Sequence, residues 1–134
     1  MSAFSDFLEN ELLDHVLRNE AYAAPTSLFI ALFTTDPTDA DTGTEVSGGS
    51  YARLEVGGGT GRAFTAAASG TTSNGELWAF TAASASWGTV THVGIYDALT
   101  GGNLLYHGAL AASQVISSGN TFQFATGDFD VSHD

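Results

Sequence analysis

Cysteine is absent from this 134-residue chain, so disulfides and thiolate metal sites are excluded and the redox compartment cannot be read. Lysine is absent too. Arg18, Arg53 and Arg62 are the only strong bases, set against 15 acids for a formal net charge of -12. Such a surface repels phosphate backbones and anionic lipid, which argues against direct nucleic-acid contact and against membrane adhesion. No run of about 20 apolar residues exists to span a bilayer, and the N-terminus lacks the basic-then-apolar pattern of a secretory leader. Proline occurs twice. Charged residues are scarce at 13%, and with nine Phe that scarcity argues against disorder. The acidic excess has a plain reading, solubility of a glycine-rich protein, and a sharper one, a basic partner surface or a saline habitat.

What is present is glycine, 16 residues of it, with small polar residues between short apolar runs. That pattern predicts many short strands joined by glycine turns, in one domain with one core. The one good helix is expected over residues 4–20. Ser2 or Ser5 would cap it, Asp6 and Glu9 lie early, and Arg18 lies late. Phe4, Leu8, Leu12 and Val16 form one apolar row, and Leu13 and Leu17 form a second. At about 100° per residue the two rows span more than an ordinary one-sided stripe. Deep docking on its own domain would explain this, and so would a helix touching both its own domain and another chain. The six side chains are therefore the candidate subunit interface.

Ser27–Thr35 reads as a central strand covered on both faces, with Leu28, Ile30 and Leu32 pointing one way and Phe29, Ala31 and Phe33 the other. Residues 36–50 form a long acidic loop. Further strands are expected at Tyr51–Val56, around Arg62–Ala66 and at Glu76–Phe80, the last behind an Asn74-Gly75 turn. Thr89–Tyr96 and Leu104–Leu110 flank Asp97–Asn103 as a hairpin, and Ser117–Asn120 is another turn. Apolar parity flips between Phe122/Phe124 and Phe129/Val131, which requires a break near Thr126-Gly127. Helices do not alternate with strands, so the expected class is an all-β, jelly-roll-like antiparallel β-sandwich with an N-terminal α-helix. Residues 1–25 would be a helical arm and 26–134 the sandwich.

Chemistry is hard to find. His15, His92, His107 and His133 lack any metal-ligand spacing; His92 and His107 face each other across the expected hairpin, where packing outweighs a two-ligand metal site. Asp36, Asp39, Asp41 and Glu45 invite a calcium reading, but a loop starting at Asp39 puts Gly43 at position 5 and Ser50 at position 12, and the pattern fails. They are taken instead as a solvent- or lattice-facing loop. The run from Gly57 to Gly61 lacks the lysine and helix of a phosphate loop. There is no GxSxG, and Trp78 and Trp87 read as core rather than sugar platforms. No catalytic residue, metal or cofactor is expected, and the chain is not read as an enzyme.

Several stretches carry a resemblance: LLDHVLRNEAYAAPTSLFIALFTTDPTDADTGTEVSGGSYARLEV, SNGELWAF, WGTVTHVGIYDALTGGNLLYHGAL and SSGNTFQFATGDFDVS. Together they resemble small virion proteins of tailed bacteriophages, a group often labelled tail fibre protein and including capsid cement, or decoration, proteins. The resemblance covers nearly the whole chain and departs from the group mainly at Gly57–Ser73. It implies a jelly-roll-like sandwich with an N-terminal helical arm and no catalytic residues. It also implies a capsid cement protein on the outer capsid surface, a homodimer or a trimer, joined to the major capsid protein. A tail-fibre or tail-tip component in host attachment is the alternative, against which stands the lack of repeats and heptads.

Overall fold

In a computed structural model, residues 2–58 and 63–133 are described. The chain opens with a two-residue strand β1 (Ala3–Phe4) and the helix α1 (Asp6–Leu17). Strands β2 (Leu28–Phe33), β3 (Leu54–Val56), β4 (Thr71–Ser73) and β5 (Trp78–Ala79) follow. The second half supplies β6 (Gly88–Tyr96), β7 (Leu104–Ile116), β8 (Gln123–Phe124) and β9 (Asp130–Ser132). All described pairings are antiparallel.

One five-stranded sheet, in the order β1-β7-β6-β2-β3, forms one layer. Two ribbons, β4-β9 and β5-β8, form the other. The expected all-β sandwich with one helix is therefore what folds. Its layers are one sheet and two ribbons rather than the two four-stranded sheets of a regular jelly roll. Residues 1–25 are not wholly an arm, because β1 is the sheet's edge strand, with Ala3 opposite His107 and Phe4 opposite Tyr106.

The core lies between the layers. Ile30, Leu32, Val56, Val90, Val93, Ile95 and Ile116 come from the sheet, and Trp78, Phe80, Phe122, Phe129 and Val131 from the ribbon side. Trp78 sits 5.1 Å from Phe64 and 5.2 Å from Phe129 between ring centres, inside the range where tilted aromatic pairs attract. Strand β2 carries out its two-faced reading. Ile30 and Leu32 enter this core, whereas Ala31 and Phe33, with Tyr96 and Leu104, form a second cluster on the outer face. Gly94 lies on that outer face, where a Cβ would come within 2.8 Å of Leu104 and 2.9 Å of Phe33.

The expected parity break is real. Gly127 has φ +84°, Asp128 N–H donates to Ala125 O, and Phe122 and Phe129 are both buried. Asn74 does more than turn the chain. It is fully buried, its Nδ2 donates to Glu76 O at 2.8 Å and Ala125 O at 2.9 Å, and its Oδ1 accepts from Phe129 N at 2.9 Å. One side chain thus joins the two ribbons. The expected strand around Arg62–Ala66 falls partly outside the described residues; Phe64 makes a single bridge to Asn74.

The helix differs from expectation at both ends. Ser5, extended at ψ 159°, accepts from Leu8 N and caps α1, so Phe4 precedes the helix. Phe4 instead packs on Tyr106 and on His133, with ring centres 5.4 Å and 4.4 Å away. The helix ends at Leu17, where left-handed Asn19 lets Glu20 N–H reach back to Asp14 O.

Candidate functional site

Two surfaces carry the side chains singled out above. The first is the acidic loop, which folds as a strap across the outer face of the sheet. Phe33 makes a single bridge to Glu45, Thr34 N–H donates to Thr44 O, and Val46 N–H donates to Leu32 O, so both ends of the strap are tied beside β2. Past the buried Pro37, Asp39 O accepts from Asp6 N–H at 2.9 Å. The strap therefore also holds the start of α1.

Its four acids are partnered within the chain. His92 on β6 and His107 on β7 share this outer face, but His92 opposes Ala109 and His107 opposes Gly94, a diagonal and not the direct pairing expected. His107 Nε2 lies 2.7 Å from Asp39 Oδ1. Asp36 reaches both rings, with each nearest nitrogen 3.9 Å from a carboxylate oxygen. Asp41 accepts from the Tyr96 hydroxyl. Glu45 is held most firmly: Arg53 Nε and Nη2 each donate to one of its oxygens at 2.9 Å, and the Tyr51 hydroxyl donates at 2.8 Å.

Arg53 is the centre of that network. Its side chain is only 8% exposed. Beyond Glu45, Nη1 donates to Ala98 O and Gly101 O, and the guanidinium lies 3.6 Å above the Tyr96 ring. Burial alone would lower its pKa, but the Glu45 hydrogen bonds and charge outweigh this and raise it. Burial pushes the Tyr51 and Tyr96 hydroxyls well above the ordinary tyrosine range, with the facing Glu45 and Asp41 adding to it. Asp36, Asp39 and Asp41 stay partly in water, but Glu45 is structural. The reading of all four as a freely solvated or lattice-facing loop is corrected at Glu45, because desolvated Arg53 demands a close carboxylate.

The second surface is α1. Leu8 is buried against the sheet and closed to another chain, whereas Phe4 is half-buried against Tyr106. Leu8 leaves the candidate interface, and Phe4 leaves the helical row because Ser5 caps the helix after it. Leu12 is half-buried. Leu13, Val16 and Leu17 are 56%, 72% and 74% exposed, at i, i+3 and i+4 on one side. Deep docking of the whole helix is thus replaced by anchoring at its first two turns and an open apolar side at its end. The broad stripe in the sequence was the signal for this.

Among the described residues, no group of three or more His, Asp or Glu side chains could hold a metal. An open apolar groove of about 610 Å³ is bounded by Leu28, Phe64, Ile95, Leu105, Tyr106 and Val131. His133 also lines it, with Nε2 2.7 Å from the Tyr106 hydroxyl. No nucleophile, base and acceptor converge there.

No curated protein matches this sequence. The family described as podophage GP4 fiber I protein gp80 matches residues 3–132, which is nearly the whole chain. The match extends through both ribbons, the strap and the helix, and the chain belongs to this family of phage structural virion proteins.

Proposed function

We propose that this protein is a non-enzymatic subunit of the fibre apparatus of a phage particle, working by holding neighbouring virion proteins together. The observation that carries the reading is the open apolar end of α1: Leu13, Val16 and Leu17 lie on one side of a helix anchored only at its start. A helix presenting i, i+3 and i+4 apolar residues is suited to a groove on another subunit. The family's description as a fibre protein favours the fibre over the head. Direct nucleic-acid contact is not part of the proposal. Arg18 and Arg53 are already paired with Asp14 and Glu45, which leaves little positive charge for phosphate. No described helix is long and apolar enough to cross a membrane.

Capsid cement on the outer capsid surface, bound to the major capsid protein, is the second reading. It is favoured by the single sandwich without repeats or heptads. One deletion phage separates the two. A fibre subunit predicts heads that hold their DNA on heating and particles that fail to adsorb to cells. A cement protein predicts normal adsorption and early DNA release. Particles normal on both counts would reject both. In the intact phage, Leu17→Asp is expected to reproduce the deletion phenotype; wild-type behaviour would remove the helix end from the contact.

A further inference from the structure

Strand β1 closes only part of one side of the sandwich. It lies along β7, where Ala3 and Phe4 pair with His107 and Tyr106, and Ser5 N–H donates to Leu105 O at 3.0 Å. It also reaches the opposite layer, since Ser2 Oγ accepts from Ser132 N–H of β9 at 3.2 Å. Beside Ser2 the two layers part around a cleft of about 270 Å³. Its apolar lining is Val93 and Leu110 from the sheet, with Phe124, Phe129 and Val131 from the ribbons. Asp128 and Asp130, both exposed, stand on its rim, and neither carboxylate has an ion-pair partner.

Both walls of the cleft are strand edges. In an antiparallel ladder, successive residues turn their N–H and C=O to opposite sides. Leu105 bonds Ser5, so Leu105, His107 and Ala109 face away from β6, and β1 covers only the first two. On β9, His133 N–H donates to Gly70 O, so His133 and Val131 face β4 while Ser132 and Asp130 face the cleft. Ser2 takes up the Ser132 amide. Asp130 has no strand beside it, because β9 pairs with β4 alone among the described strands. The cleft thus has an open backbone edge on each wall, at Ala109 and at Asp130.

We infer that this cleft takes one extended segment of another protein, with apolar side chains at alternate positions and lysine or arginine between them. Strands in a sheet lie about 4.8 Å apart and sandwich layers about 10 Å apart, so a strand midway is within ladder reach of both edges. Strand β1 already bonds both layers in this way. Edge addition gives affinity through the backbone and selectivity through alternate side chains. The residue set opposite Asp130 shares its side of the ladder, and a basic side chain there makes the favourable cross-strand pair, with Asp128 two positions away. Its neighbours turn inward with Val131, onto Phe129, Phe124 and Leu110. An acidic segment is repelled. This chain supplies no suitable segment of its own, having no lysine and three arginines far apart in sequence. The cleft shares no residue with the open end of α1, so the inference stands apart from the role proposed for that helix.

The test uses the full chain and a short blocked peptide alternating lysine with valine, labelled for fluorescence anisotropy. The peptide is expected to bind at low salt, more weakly as salt rises, and to slow amide exchange at Ala109 and Asp130 in nuclear magnetic resonance spectra. Asp130→Lys should weaken binding about tenfold. Glu55→Lys makes the same charge change on β3, at the opposite edge of the sheet, and should leave binding unchanged. A peptide with proline for each valine keeps the charge, loses ladder donors and should bind about tenfold more weakly. Near-ultraviolet circular dichroism checks that each variant is folded; Asp128→Lys serves if Asp130→Lys does not fold. Absence of binding overturns the inference. So does equal binding of the proline peptide, equal loss in Glu55→Lys, or unchanged exchange at both amides. Protection of those amides that grows with protein concentration without peptide would place a second copy in the cleft and overturn it as well.

Discussion

Replacing Arg53 by Met keeps the aliphatic stem and removes the cation, which isolates the electrostatic centre of the strap. The side chain is 8% exposed and Glu45 is 27% exposed, so the pair is partly desolvated. The variant loses two charge-assisted bonds to Glu45, two to the Ala98 and Gly101 carbonyls, and the contact with the Tyr96 face. Breaking a buried pair from one side costs about 3–5 kcal/mol, because the abandoned charge stays behind. Glu45 keeps the Tyr51 hydroxyl and some water, which places the cost near the lower bound, about 3 kcal/mol. With an unfolding entropy of about 2.1 cal/mol/K per residue, that corresponds to a melting point lower by about 10 °C. Calorimetry at neutral pH measures it. Glu45→Gln, which removes the charge but keeps an acceptor for Arg53, should cost about half as much. A drop below about 3 °C for Arg53→Met would mean the pair behaves as an ordinary surface salt bridge, refuting the argument from burial.

Two further outcomes follow from side chains inside the fold. Asn74→Ala leaves Phe129 N–H buried without its acceptor and should cost about 3 kcal/mol in a denaturant titration; Asn74→Asp should be worse at neutral pH, since a carboxylate cannot donate to Glu76 O and Ala125 O. The raised tyrosines set the alkaline limit: above the ordinary tyrosine value of 10.0 the unfolded chain loses protons that Tyr51 and Tyr96 retain when folded. Their contribution is thus complete below that value and is lost as pH rises through the folded values, so stability should fall above about pH 10, and less steeply in Tyr96→Phe.

Much of the sandwich was legible because its signals are local. The two-faced run at Leu28–Phe33, the hairpin around Asp97–Asn103 and the parity flip at Gly127 each depend on neighbours in sequence. The helix start was legible only as a choice between Ser2 and Ser5. The edge pairing of Phe4 with Tyr106 decided it, and that contact spans 102 positions of sequence between the two residue numbers. The strap was misjudged for the same reason. Four acids among turn formers look solvated until Arg53, Tyr96, His92 and His107 are brought beneath them by strands β6 and β7 and the segment ahead of β3. The Arg53–Glu45 spacing of eight carries no motif, so nothing local announces the pair. Asn74 was recognised as a turn residue, but its role in joining the ribbons required Ala125 and Phe129 in place.

The fold therefore treats its negative charge in two ways. Glu45 is spent inside, where Arg53 neutralises it, and Asp39 and Asp41 are bound to side chains of the sheet. The acids of α1 remain on a helix whose last turn is apolar and open, flanked by Asp14 and Glu20, with Arg18 paired to Asp14. On the proposed reading, a partner for that helix would bury leucine and valine while facing carboxylates, which calls for a basic rim around an apolar groove. Attraction of that kind weakens as salt screens it, so release of the helix from its partner should rise with ionic strength.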